Sequence, residues 1–209
     1  GELKKSWNSN TLFTGIDFKH EEAENLRMVM PAMMKPRDGS AWQNSQINQI
    51  GWFGEYQRFF STSKLTASAR LDYNYSEAEK PSQLFQNLYG DNSAEDFNHR
   101  LSLGYSNNLS SNTQLALWMG RAQRSGSLTE RYINLFPVGN DNYEVLGNPQ
   151  IKPETNNQAD LIFTYSRENV FFQTDVFYSY LQDYISGVIR PDIKAATMTS
   201  PGVRQMQNI

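Results

Sequence analysis

The chain has 209 residues and a formal net charge of −3, so no global basic field calls for nucleic acid. It contains no cysteine and two histidines, His20 and His99, which excludes disulfides, cysteine nucleophiles and thiolate zinc sites and leaves little for triad chemistry. Mean hydropathy is low while 13% of residues are aromatic, a combination unlike disordered chains and suited to strands with one greasy face.

No apolar run reaches the ~20 residues of a membrane helix, and the first residues, GELKKSWNSN, carry no apolar signal-peptide core. The organising signal is alternation with period two. Residues 11–19 set Leu12, Thr14, Ile16 and Phe18 on one side. After a long connection, residues 50–60 align Ile50, Trp52, Tyr56 and Phe60, with Arg58 on the same face near the following turn. The clearest strand is 65–76: Leu65, Ala67, Ala69, Leu71, Tyr73 and Tyr75 oppose Thr66, Ser68, Arg70, Asp72, Asn74 and Ser76. In 97–106, Phe97, His99, Leu101, Leu103 and Tyr105 oppose Asn98, Arg100, Ser102, Gly104 and Ser106.

Residues 113–121 offer Leu115, Leu117 and Met119, and 157–165 offer Ala159, Leu161, Phe163 and Tyr165. The stretch 170–189 carries Phe172, Val176, Tyr178 and Tyr180, but Phe171, Phe177 and Leu181 blur its sidedness. Connections alternate: 61–64, 107–112 and 166–169 are short, whereas 20–49, 77–96, 122–156 and the region from Arg190 are long. All eight prolines fall in the long segments, as expected of a residue that cannot donate to a ladder.

Seven strands near ten residues, with the start of an eighth, predict an all-β fold of antiparallel up-and-down strands from a transmembrane β-barrel. Apolar faces then meet lipid and polar faces the lumen, while Phe59, Phe60, Tyr73, Tyr75, Tyr105 and Tyr165 form interfacial girdles. A soluble antiparallel sandwich or barrel alternates in the same way. Strand length and the one-sided placement of long loops favour the membrane.

Three segments resemble TonB-dependent outer-membrane receptors. Within residues 50–75 the match is a hairpin returning as L-x-x-x-x-x-R-x-D, carried by Tyr56, Leu65, Arg70 and Asp72. Within 127–160 it is an E…G-N-P-x-x-K-P-E segment, carried by Glu130, Gly147, Asn148, Pro149, Ile151, Lys152, Pro153 and Glu154. In 172–185 it is F-Y-x-x-x-x-D-Y-I, carried by Phe177, Tyr178, Asp183, Tyr184 and Ile185. Gly126 stands where a proline is usual before Ser127, and Ile151 where leucine is common.

The resemblance implies a bacterial outer-membrane barrel of about 22 strands around a plug. This chain would be a partial barrel domain over 1–209, with the plug and terminal strands outside it. It further implies active import of a metal chelate or other scarce nutrient such as a siderophore, haem, cobalamin or copper. The partners implied are the TonB energy-coupling protein through the plug, outer-membrane lipid and the ligand. No resident cofactor and no enzyme activity are expected. A passive porin or a soluble β-rich ligand-binding module are the alternatives.

Candidate ligand-contacting residues lie in the long loops. Met28, Met30, Met33 and Met34 cluster near His20, and thioethers are soft ligands for Cu(I), though such a cluster also packs loop on loop. The acidic stretches 91–96 and 140–144 lack calcium-loop spacing. Trp42, Phe85, Tyr89, Tyr132, Phe136 and Tyr143 are the aromatic candidates for contact with a ligand. Gly147 and the prolines at 149 and 153 read as a turn re-entering a strand, Gly147 supplying positive φ and Lys152 and Glu154 anchoring the strand start.

Overall fold

The computed structural model describes residues 1–24, 41–138 and 141–209. Eight antiparallel strands form one meander: β1 Glu2–Trp7, β2 Asn10–Ala23, β3 Ser45–Phe59, β4 Ser63–Ala78, β5 Ser93–Asn108, β6 Thr113–Arg124, β9 Glu154–Arg167 and β10 Val170–Gln182. Every neighbour in this sheet is also the next of its strands along the chain, which is the up-and-down topology of a barrel wall. The other elements are α1 Gln83–Tyr89, α2 Leu128–Tyr132, β7 Phe136–Pro137, β8 Glu144–Leu146, β11 Ile185–Ile189 and β12 Val203–Asn208.

The predicted alternation sets the faces of the wall. Register places Thr66, Ser68, Arg70 and Asp72 beside Gly104, Ser102, Arg100 and Asn98, all on one face. Polar members of that face are buried: Thr66, Asp72, Asn74, Ser76 and Asn98 are each below 9% exposed. Leu101 and Leu103 on the opposite face are each 50% exposed, and Ile16, Phe18, Ile50, Trp52, Leu117, Met119 and Val176 are exposed with them. A water-soluble sandwich would reverse this assignment. Here the outer face needs a hydrocarbon solvent, and the concave face is polar.

Three of the expected short turns are hairpins, and a fourth at Asn8 and Ser9 joins β1 to β2. β1 escapes the pattern because Leu3, Lys5 and Trp7 share its outer face, so a charge interrupts the greasy row. The stretch 170–189 proves to be two strands. Asp183, with φ of 53°, ends β10, and β11 leaves the wall for a second sheet. Among the described residues, β1 and β10 pair on one side only.

The long connections are folded. β11, β12, β8 and β7 make a small sheet in which β12 runs parallel to β8. Phe85, Tyr132, Leu135, Leu146, Ile193 and Val203 form its apolar core with Ala78 at the end of β4. Ser82 caps α1 through its hydroxyl, accepting from the Phe85 amide at 3.3 Å, and Gly90 with φ of 71° closes it. Gly147 does not carry the positive φ expected of it. It is needed because a Cβ there would lie 2.5 Å from the Arg131 carbonyl carbon and oxygen. The loop layer therefore closes by backbone approaching backbone.

Burial pushes the Tyr132 phenol up to about 12, against smaller lowering by Ser76 and Arg131. Its hydroxyl is 2.8 Å from Ser76 Oγ on β4, tying the layer to the wall. A raised phenol favours the folded loops fully below the unfolded value near 10, and that stability is lost as pH rises toward 12. Tyr132→Phe should cost about 1 kcal/mol at neutral pH and flatten the alkaline loss, checked by pH-dependent protease sensitivity of the loops. On the wall, Leu103→Arg in the full-length receptor should cost about 2–4 kcal/mol in lipid and Ser102→Arg much less, read from denaturant unfolding in vesicles.

Candidate ligand-binding face

The concave wall and the underside of the loop layer meet in one polar region. At mid-wall, Arg70 on β4 forks onto Asp17 on β2, with Nη1 to Oδ2 at 2.7 Å and Nη2 to Oδ1 at 2.8 Å. The same guanidinium donates from Nε to Asp72 Oδ2 at 3.0 Å, and Gln49 donates to Asp72 Oδ1 at 2.8 Å. Gly51 makes room for this knot, because a Cβ there would sit 2.5 Å from both Arg70 Nη2 and Asp72 Oδ1. Two of the family-like residues, Arg70 and Asp72, thus face the lumen as a paired, rigid unit.

Beneath α2 lies a polar cavity of about 290 Å³, lined by Lys19, Gln49, Asp96, Asn98, Arg100, Arg124 and Arg131 among others. Arg131 is 1% exposed. It pairs with Asp96 and donates to the Pro149 carbonyl at 2.6 Å and the Gly126 carbonyl at 3.3 Å. Arg124 reaches Glu130 at 2.7 Å and Glu154 at 3.0 Å. Ser127 and Glu130 form a reciprocal capping box at the start of α2. Burial alone would raise the Glu130 carboxyl, but Arg124 and the Ser127 amide and hydroxyl hold it below its ordinary range. Asn98 donates to Ser125 at 2.6 Å while its Oδ1 has no partner, and Arg100 is exposed without an ion pair among the described residues. Arg100 and the wider lumen wall through Phe53, Trp118, Gln158 and Asp160 are left open to a guest.

The expected aromatic residues divide. Phe85 and Tyr132 are fully buried in the loop core, so here they pack. Trp42 and Phe136 are half-buried with ring centroids 6.0 Å apart, and Trp42 Nε1 donates to Thr129 at 3.1 Å. Tyr89 donates to the Gly147 carbonyl at 2.6 Å and accepts from Gln205 at 2.5 Å. Tyr143 carries the Arg204 guanidinium 4.7 Å above its ring. Met28, Met30, Met33 and Met34 lie outside the described residues. His20 stands on the outer face of β2 with Ile16 and Phe18, its Nδ1 2.9 Å from Asn48 Oδ1. Among the described residues no cluster of three histidine or carboxylate side chains is arranged to hold a metal.

Sequence reading missed Arg131 and Glu144 as anchors. Glu144 accepts from the Ala196 and Thr197 amides at 2.6 and 2.7 Å and so pins the 190–202 connection. Asp96 and Asp141, from the acidic stretches, pair with Arg131 and Arg204. Only the Ser127–Glu130 spacing advertised any of this beforehand. Glu154 begins β9 as expected, bridging Arg124 and accepting from the Ile185 amide at 3.2 Å, while Lys152 contributes its backbone to Asn208. Arg131→Met should cost about 3–5 kcal/mol by stranding the Asp96 carboxylate. Faster proteolysis of the loop layer, with the wall unchanged in heat-modifiability, is the expected reading.

The family model described as TonB dependent receptor-like, beta-barrel matches residues 2–208. Among solved structures, the copper transporter OprC superposes with a TM-score of 0.72 at 20% identity, covering 100% of this chain and 31% of that one. The FrpB iron transporter from Neisseria meningitidis gives 0.64 at 13% identity, covering 99% and 30%. The siderophore receptor PirA from Pseudomonas aeruginosa gives 0.54 at 14%, covering 99% and 42%. The curated proteins contain no sequence match. The chain spans about a third of the first two structures. With an inverted wall, consecutive strand order and a family match along nearly its whole length, the chain belongs to the β-barrel domain of the TonB-dependent receptors of the bacterial outer membrane.

Proposed function

We propose that the whole protein imports a scarce metal or metal chelate across the outer membrane, energised through TonB, and that this chain supplies part of its wall and capture rim. The observation that carries this reading is the polar cavity beneath α2, roofed by folded loops and opening at Arg100 onto the lumen wall. A passive pore has less use for a rim tied down by the Arg131–Asp96 and Arg124–Glu130–Glu154 pairs. Trp42, Tyr89, Phe136 and Tyr143 are the candidate aromatic residues left with exposed surface to meet a chelate, and Arg100 supplies an unpaired charge. The similar proteins are a copper transporter, an iron transporter and a siderophore receptor. For copper, Met28, Met30, Met33 and Met34 are the soft donors on hand.

The test is uptake by cells expressing the intact receptor, with and without the energy-coupling protein, across copper, ferric siderophores, haem and cobalamin. Uptake of one cargo that stops when coupling is removed supports the reading. Coupling-independent, diffusion-like entry of all small solutes would replace it with a porin. If copper is the cargo, replacing the four methionines by serine should lower Cu(I) affinity of the purified receptor at least tenfold, measured by competition with a chromophoric chelator. Unchanged affinity removes copper coordination from this loop.

A further inference from the structure

One polar group on the outer face of the wall is built across three strands. On β6 and β9, directly past the last apolar residues toward the loops, stand Arg121 and Asn157, with His99 beside Arg121 on β5, where Phe97 carries the apolar row one step further. Arg121 is exposed. Its Nε donates to His99 Nε2 at 3.2 Å and its Nη1 to Asn157 Oδ1 at 3.1 Å. Neither partner is a carboxylate, and no carboxylate lies within ion-pairing distance of Arg121 among the described residues. The guanidinium is thus oriented by two strands while its charge is left unmatched.

Below it the surface dips. A groove of about 530 Å³ runs over Leu101, Leu103, Met119 and Ala159, with Arg121 and Asn157 at its upper end and Tyr178 along one side. The dip arises at Ala159, a small side chain set between Met119 and Tyr178 in one row of the register. An apolar depression that crosses the strands from Leu103 through Met119 and Ala159 to Tyr178, with an oriented cation one register row above it, has the chemistry to take an acyl chain ending in a phosphate. A bare lipid-facing arginine is costly in the hydrocarbon and much less so near the interface. An anionic headgroup would turn that residual cost into an attraction.

We propose that this outer groove is a binding site for a phosphate-bearing acyl lipid of the loop-side leaflet, with Arg121 holding the phosphate, His99 and Asn157 orienting Arg121, and Ala159 admitting the chain. The site is separate from the lumen and owes nothing to the identity of the imported cargo. The experiment is native mass spectrometry of the intact, detergent-purified receptor titrated with diphosphoryl lipid A, with its dephosphorylated form and phosphatidylglycerol as parallel arms. The wild type should retain lipid A at least tenfold better than the dephosphorylated form. Arg121→Gln should remove that preference, and Ala159→Leu should reduce retention of both forms by filling the groove. Preferential retention of phosphatidylglycerol would overturn the loop-side assignment. Equal retention of the phosphorylated and phosphate-free lipids by the wild type would overturn the site altogether, whatever the variants do. Heat-modifiability in gels checks that each variant is folded, and a folded Arg121→Gln receptor that keeps the phosphate preference also overturns it.

Discussion

A strand that crosses hydrocarbon finds no water for its amides, so each backbone donor and acceptor there must be met by a neighbouring strand. Most of the architecture follows from that constraint. The wall is an unbroken meander because a missing ladder in mid-membrane would strand several polar groups. Side-chain chemistry then divides by face. Leu101, Leu103 and the girdle aromatics sit outside, where lipid accepts them without a hydrophobic gain from packing, and Asp72, Asn74 and Asn98 sit inside, on a face that also carries Phe53 and Trp118. The Arg70 knot is a consequence of the same division. A charge that points inward can be matched across strands, as Asp17 and Asp72 do from β2 and β4.

One chain thus meets two solvents, and its two ends are stabilised differently. The wall has no apolar core of its own. The apolar core forms where water returns, in the loop layer, from Phe85, Tyr132, Leu146 and Val203. The two regimes are joined by strands that outrun the membrane: Ala78 ends β4 inside the loop core, and Ser76 meets Tyr132. Arg131 acts as a second rivet, gathering Asp96 of β5 with the Gly126 and Pro149 carbonyls. The rim is therefore held to the wall by buried polar contacts, which fix geometry more than they add stability.

Those differences explain what could be read in advance. Period-two alternation is written by the membrane at every second residue, so β2 to β6, β9 and β10 were legible, and the Leu65–Ser76 faces hold residue for residue. The loop layer obeys no single period. β7 has two residues and β8 three, and β8 finds its second partner in β12, about sixty positions away. Phe85 and Tyr132 looked like surface aromatics in polar loops, and only tertiary packing reveals them as core. Gly147 shows the same limit: its sequence context suggests a turn conformation, but the requirement comes from the Arg131 backbone passing over it. The candidate site was legible only as loops; its cavity depends on Arg124 and Arg131, which no local pattern singles out.

Two of the arginines on the greasy face show how position decides the cost of a charge. Arg58 lies beside the short turn to β4, where its guanidinium rests 5.1 Å from the Phe60 ring and the water interface is close. Nothing further is required of it. Arg121 sits at the other margin of the apolar band and is braced from two strands by His99 and Asn157. Bracing orients a charge without cancelling it, and ordering a long side chain carries an entropic cost that an exposed arginine in water alone would not need to meet. An anion at the bilayer surface is the partner that makes such ordering worthwhile, and the groove beneath Arg121 supplies a place for the chain attached to it.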